Sequence, residues 1–140
     1  GEITTPLKAY IDQVKNKELK ILIPGAGNGH EFDYLVNNGF KNVYVIDIAL
    51  SPLVHIAKKN PKFKSNLIHD DFFNLDEKFD LIIEQTFFCA LQPTLRMLYA
   101  EKMQKVIPCQ KVLKLFQSEG MMRDKMNERK PHGDKKGSRP

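Results

Sequence analysis

The residue types suited to chemistry are gathered between "ILIPGAGNG" and "EQTFFCAL", and the first of them are glycines. Gly25, Gly27 and Gly29 follow the apolar run "LKILI" and precede a stretch with helical spacing, so the chain must turn tightly there and leave bare backbone open to a ligand. A helix N-terminus at that point offers its N–H groups to a negatively charged partner, a phosphate or a carboxylate. Asp47 ends the next apolar run, 18 residues beyond Gly29, about where an acid reaches the two hydroxyls of an adenosine ribose. Taken singly, the glycines are a tight turn and Asp47 is a helix cap or turn residue; taken together they point to a nucleoside. A dinucleotide fingerprint would put its third glycine at position 30, but His30 stands there and the glycine comes one position early, which makes NAD the weaker reading.

Such residues need a scaffold that ends strands and begins helices along one edge. "TTPLKAYIDQV" is amphipathic, with Thr5 as the candidate cap, Pro6 in the first turn and Leu7, Tyr10, Ile11 and Val14 on one face. "LKILI" and "NVYVI" are short, nearly continuous apolar runs, the pattern of strands buried on both faces of a parallel sheet; between them Phe32, Leu35 and Val36 mark a helix closed by Asn38-Gly39. Ser51 and Pro52 open a further helix through Leu53, Val54, Ile56 and Ala57, ended by Asn60-Pro61. "SNLIH" supplies a third strand and "FDLIIEQ" a fourth; a helix from about Pro93 to Val106 carries Leu95, Leu98 and Met103, and "KVLKLF" is a fifth strand. The alternation predicts an α/β fold with a mostly parallel sheet and helices on both faces.

The spacing G-x-G-x-G with an acid closing the next strand resembles the S-adenosylmethionine site of Rossmann-like methyltransferases. "HDDFFNL" resembles the segment of those proteins that meets adenine, which implies that Asp71 accepts from the exocyclic amine and that the Phe72 backbone N–H reaches a ring nitrogen. Together, "LIPGAGNGHEFDYL", "VIDIALSPL", "HDDFF" and "FDLIIEQTFFCALQPTLRMLYAEKM" are similar to the thiopurine, thiol and halide methyltransferase family, over residues 1 to about 107. The resemblance implies a Rossmann-like sandwich, with S-adenosylmethionine as cofactor at Gly25, Gly27, Gly29, Asp47, Ile48, Asp71, Phe72 and Glu84. It also implies methyl transfer to a small thiol, thiocyanate or halide, with an acceptor pocket at Phe87, Phe88 and Arg96.

The residue chemistry suits that reaction. Transfer from a sulfonium needs alignment of nucleophile, methyl carbon and leaving sulfur. Phe87 and Phe88, at the end of the fourth strand, would wall a dry pocket and face the cation through a ring, and Glu84 or Gln85 would accept from the ammonium group of the ligand. Plainer readings stand beside these: core packing for the phenylalanines, a strand-end polar pair for Glu84 and Gln85, and solvated helix surface for Arg96. Cys89 reads as a small buried hydrophobe, and His30, His55, His69 and His132 show no metal-ligand spacing with the cysteines, so no metal is assigned. Two further functions stay open, a catalytically incomplete cofactor-binding or interaction domain and an NAD-binding domain.

The 140 residues suffice for one core, placed at residues 1–120. The net charge of +5 is mostly a tail: residues 1–120 carry 15 Lys+Arg against 14 Asp+Glu, and residues 121–140 carry 7 against 3. That tail reads as flexible and solvated; it lacks the interleaved aromatics of a nucleic-acid binder. Two cysteines and the lack of a long apolar run predict a soluble, cytoplasmic protein with no membrane partner. The upstream aromatic segment of the family, with its Trp-Asp pair, has no counterpart in a chain without tryptophan, and nothing beyond Phe116 resembles the antiparallel closing strands of this fold. The expectation is therefore a sheet whose strand at 111–116 forms an open edge and self-associates through it.

Overall fold

The computed structural model describes residues 2–84, 87–106, 112–116 and 121–124, with the backbone alone at 88, 89 and in the last two stretches. Six strands, β1 (Lys20–Pro24), β2 (Asn42–Asp47), β3 (Leu67–His69), β4 (Leu81–Glu84), β5 (Val112–Phe116) and β6 (Met121–Asp124), form one sheet in the order β3-β2-β1-β4-β5-β6. The pairings from β3 across to β5 are parallel, with Leu22 beside both Tyr44 and Ile82 at the centre. Among the described residues five α-helices accompany them: α1 (Thr5–Gln13), α2 (His30–Asn37), α3 (Leu50–Lys59), α4 (Phe87–Ala90) and α5 (Pro93–Val106). Among the described residues no helix is long and apolar enough to cross a membrane.

The unbroken apolar run of β1 follows from its central place, because each successive side chain serves a different face. Ile21 and Ile23 point into a core shared with Leu7 and Ile11 of α1, Phe32 and Leu35 of α2, and Leu53 and Ile56 of α3. Leu22 joins the opposite core, made with Ile46, Ile82, Phe72, Phe79 and the α5 residues Tyr99, Met103 and Val106. The chain thus crosses from one face to the other between β3 and β4, and β1 and β4 lie side by side where the winding reverses. A sheet of this kind opens a crevice at the carboxyl ends of its strands at that point.

The structure differs from the sequence expectation at four places. Thr4 rather than Thr5 precedes α1, which puts Pro6 at the second helical position, still within the first turn where a missing N–H costs no intrahelical bond. Leu98 is half exposed and Tyr99 is buried in its place; Leu95, Met97, Leu98 and Tyr99 are all apolar, so the spacing alone leaves the buried stripe of α5 ambiguous. Phe87 opens the short helix α4 instead of ending a strand. β6 pairs antiparallel with β5, from Leu113 opposite Asp124 to Phe116 opposite Met121, so β5 has a strand on each side instead of the open edge expected at 111–116. "MMRD" is too short to announce itself by alternation. The sheet therefore reaches into the segment read as a flexible tail; residues 125–140 lie outside the described residues.

Candidate functional site

The glycine turn stands at the crevice, and its shape is set by left-handed backbone at Gly25 (φ 84°), Gly27 (φ 53°) and Gly29 (φ 81°). The three are not equivalent. A methyl group on Gly29 would lie 2.8 Å from Cγ1 of Ile56, so this glycine, at the cap of α2, is what lets α2 sit against α3. A methyl on Gly25 would meet the ring of Phe87 at 3.4 Å, whereas one on Gly27 would point into open space. The turn is braced from β2: the Gly25 N–H donates to the Ile46 carbonyl at 2.8 Å, and the Ala26 N–H donates to Oδ2 of Asp47 at 2.8 Å. The other Asp47 oxygen, Oδ1, accepts from the Ala49 N–H at 2.9 Å, at the cap of α3. One carboxylate therefore ties two loops together, and each oxygen retains lone-pair capacity for a ligand hydroxyl.

Beyond the turn lies a cleft of about 550 Å³, within the usual size of small-molecule sites. Its polar side presents five carboxylates, Glu2, Glu31, Asp47, Asp70 and Asp71, and among the described residues no lysine or arginine lines it. Its apolar side is built from Phe72, Phe73, Phe87, Leu91 and Leu95, with Ile48, 67% exposed, at the mouth. Asp71 caps the 3-10 turn at Phe72–Asn74 by accepting from the Phe73 N–H at 2.9 Å. The neighbouring Asp70 is held below the usual carboxylate range, first by the Asn74 side-chain amide at 3.0 Å and then by the Asp71 N–H at 2.7 Å, so it stays ionised.

Of the residues singled out from the sequence, Gly25, Gly27, Asp47, Ile48, Asp71, Phe72 and Phe87 come together on the cleft wall. Gly29 supports the turn from behind. Glu84 is 1% exposed and does not line the cleft; its Oε1 accepts from the Tyr99 hydroxyl at 2.9 Å, which changes its reading from a ligand contact to a buried partner of α5. Arg96 is half-buried on α5 and does not line the cleft, although Leu95 before it does. Gln85 and the side chain of Phe88 lie outside the described residues. Glu2, Glu31 and Asp70 were not picked out from the sequence, since an acidic residue near a turn is ordinarily solvated surface. Tyr99 gave no signal either, because its partner is 15 residues away.

Residues 1–120 match the family model described as thiopurine S-methyltransferase. The chain belongs to the thiopurine S-methyltransferase family. Within or beside that family, it is 35% identical over 95 residues to "Probable thiol methyltransferase 2" of Arabidopsis thaliana, which covers 63% of this chain and 41% of that protein. It is 31% identical over 110 residues to "Thiocyanate methyltransferase 1" of Brassica oleracea, covering 74% and 48% respectively. The chain thus spans less than half the length of these two curated relatives. TehB from Haemophilus influenzae shares the fold of this family member with a TM-score of 0.67 at 19% identity, over 80% of this chain and 40% of TehB. The glycopeptide N-methyltransferase MtfA, complexed with S-adenosyl-L-homocysteine, does so with a TM-score of 0.63 at 18% identity, over 81% of this chain and 52% of MtfA.

Proposed function

We infer that the chain carries the donor site of an S-adenosylmethionine-dependent methyltransferase acting on a small thiol, thiocyanate or halide. The observation that carries this reading is the charge of the cleft. Carboxylates surround a glycine turn with no lysine or arginine among the described lining residues, a setting that suits a ligand bearing hydroxyls, an ammonium and a sulfonium and opposes the pyrophosphate of NAD. The relatives named for thiol and thiocyanate methylation support the acceptor class.

On this reading S-adenosylmethionine supplies a methyl carbon made electrophilic by its sulfonium, and the chain supplies position. The N-terminus of α2 and the turn from Gly25 to Gly29 face the methionine carboxylate, Asp47 accepts from the ribose, and Asp71 with the Phe72 N–H frames adenine. Phe87 offers a ring face to the cation, worth about 0.5–2 kcal/mol when desolvated. An anionic acceptor entering from the apolar side would lose charge as it takes the methyl group, so a dry wall favours the reaction.

Titration calorimetry of the chain with S-adenosylhomocysteine and with NAD tests the donor reading. Binding of the first alone is expected; binding of NAD alone would overturn it. Methyl transfer to iodide, thiocyanate and small thiols then ranks the acceptors, and donor binding without any transfer would favour a cofactor-binding domain that lacks catalysis.

A further inference from the structure

Four elements meet beneath the aromatic side of the cleft. Glu84 comes from the end of β4, Tyr99 from α5, Phe87 from α4 and Phe72 from the turn after β3. Tyr99 is fully buried and Glu84 nearly so, joined by the 2.9 Å hydrogen bond from the phenol to Oε1. The Tyr99 ring centre lies 5.4 Å from that of Phe72 and 5.8 Å from that of Phe87, and the two phenylalanine rings are 5.4 Å apart. Phe72 and Phe87 line the cleft, whereas Tyr99 does not.

A carboxylate carried to this depth is costly, and a plain aromatic or aliphatic core would hold α5 to the sheet without it. What the oxygen pair adds is direction. Stacked rings slide and tilt over a shallow energy surface, while a hydroxyl fastened to a strand end fixes one ring against the backbone. α4 is only four residues long, so Phe87 takes its orientation from what it touches: Gly25 on one side and the Tyr99 cluster on the other.

We propose that Tyr99, held by Glu84, is a positioning residue that sets the Phe72 and Phe87 rings of the cleft wall. Its bearing on methyl transfer rests on the donor reading above, while the positioning itself does not. The effect reaches the ligand only through the two rings, so removing the hydroxyl should disturb turnover more than binding.

The test is Tyr99→Phe in a chain carrying 4-fluorophenylalanine at position 87, read by fluorine NMR without ligand. The resonance should move by more than its linewidth, while Val106→Ala, which loosens the same core seven residues along α5, leaves it in place. With donor and acceptor added, turnover should fall by about 10- to 100-fold, as for a small misplacement of reacting groups, and the Kd for S-adenosylhomocysteine should stay within about threefold. An unmoved resonance, or one that Val106→Ala moves equally, overturns the proposal. If the unaltered chain fails to bind S-adenosylhomocysteine, the donor reading falls and the resonance still decides the positioning. Should Tyr99→Phe not fold, Glu84→Gln is read in the same way, since it weakens the bond by removing its charge: displacement supports the proposal and coincidence with the parent chain overturns it.

Discussion

Asp47 braces two loops and is the acceptor proposed for ribose, and its substitution should test both. Asp47→Ala removes the acceptor for the Ala26 and Ala49 N–H groups and, on the donor reading, the acceptor for ribose. Loss of charged hydrogen bonds to the ligand is worth about 1.5–3 kcal/mol, so the donor should bind roughly 10- to 150-fold more weakly by calorimetry. The melting midpoint should fall as well, because two loop amides lose their partner. The glycines separate along a different line. Gly29→Ala combines left-handed backbone with a 2.8 Å approach to Ile56, and it should destabilise the fold more than Gly27→Ala, whose added methyl meets nothing. Denaturant titration would check this, and Gly29→Ala with Ile56→Ala should be less than additive, since the second change removes the clashing atom. Gly27→Val should instead show its main loss in donor affinity.

The pairing of α5 with β4 makes stability sensitive to alkali. Burial, and then the charge of Glu84 and the hydrogen bond to it, push the Tyr99 phenol far above its ordinary value of 10.0. The folded form therefore keeps a proton that the unfolded chain gives up. The stabilisation is complete below pH 10 and declines as pH rises above it, at about 1.4 kcal/mol per pH unit for one group. Denaturant titrations from pH 10 to 11 should show this decline, and Tyr99→Phe should reduce it. On the same helix, Leu98→Gln should leave stability within about 0.5 kcal/mol, whereas Met103→Ala should cost about 2–5 kcal/mol. At this scale the sequence was most readable where burial is two-sided. β1, β2 and β4 carry unbroken apolar runs because both faces are covered, and the ends of α2 and α3 are written in Asn38-Gly39 and Asn60-Pro61. The buried stripe of α5 was not readable, since too many of its residues are apolar for spacing to choose. The site shows the same division. Gly25, Gly27 and Asp47 follow from local backbone need, while Glu84 and Tyr99 take their meaning from a contact between distant elements.

For the whole molecule, the antiparallel β6 closes the side of β5 that would otherwise be exposed. A chain ending at Gly120 should melt lower than the intact protein and sediment as larger species, because the unpaired N–H and C=O groups of β5 would be free to join another copy. A monomer of unchanged stability would show that β6 adds nothing to the sheet. The two faces of the sheet also differ in when their parts exist. Apart from Leu81 and Ile83 of β4, the core around α1, α2 and α3 draws on residues no later than Leu67, whereas the core around Leu22 and Ile46 waits for Tyr99, Met103 and Val106. At about 5–20 residues per second, a ribosome needs roughly 2–8 seconds to cover that interval. During it, one face of the nascent sheet is already covered while Leu22 and Ile46 remain open, and this is the period in which a chaperone would find the chain and in which slowed translation would do it most harm.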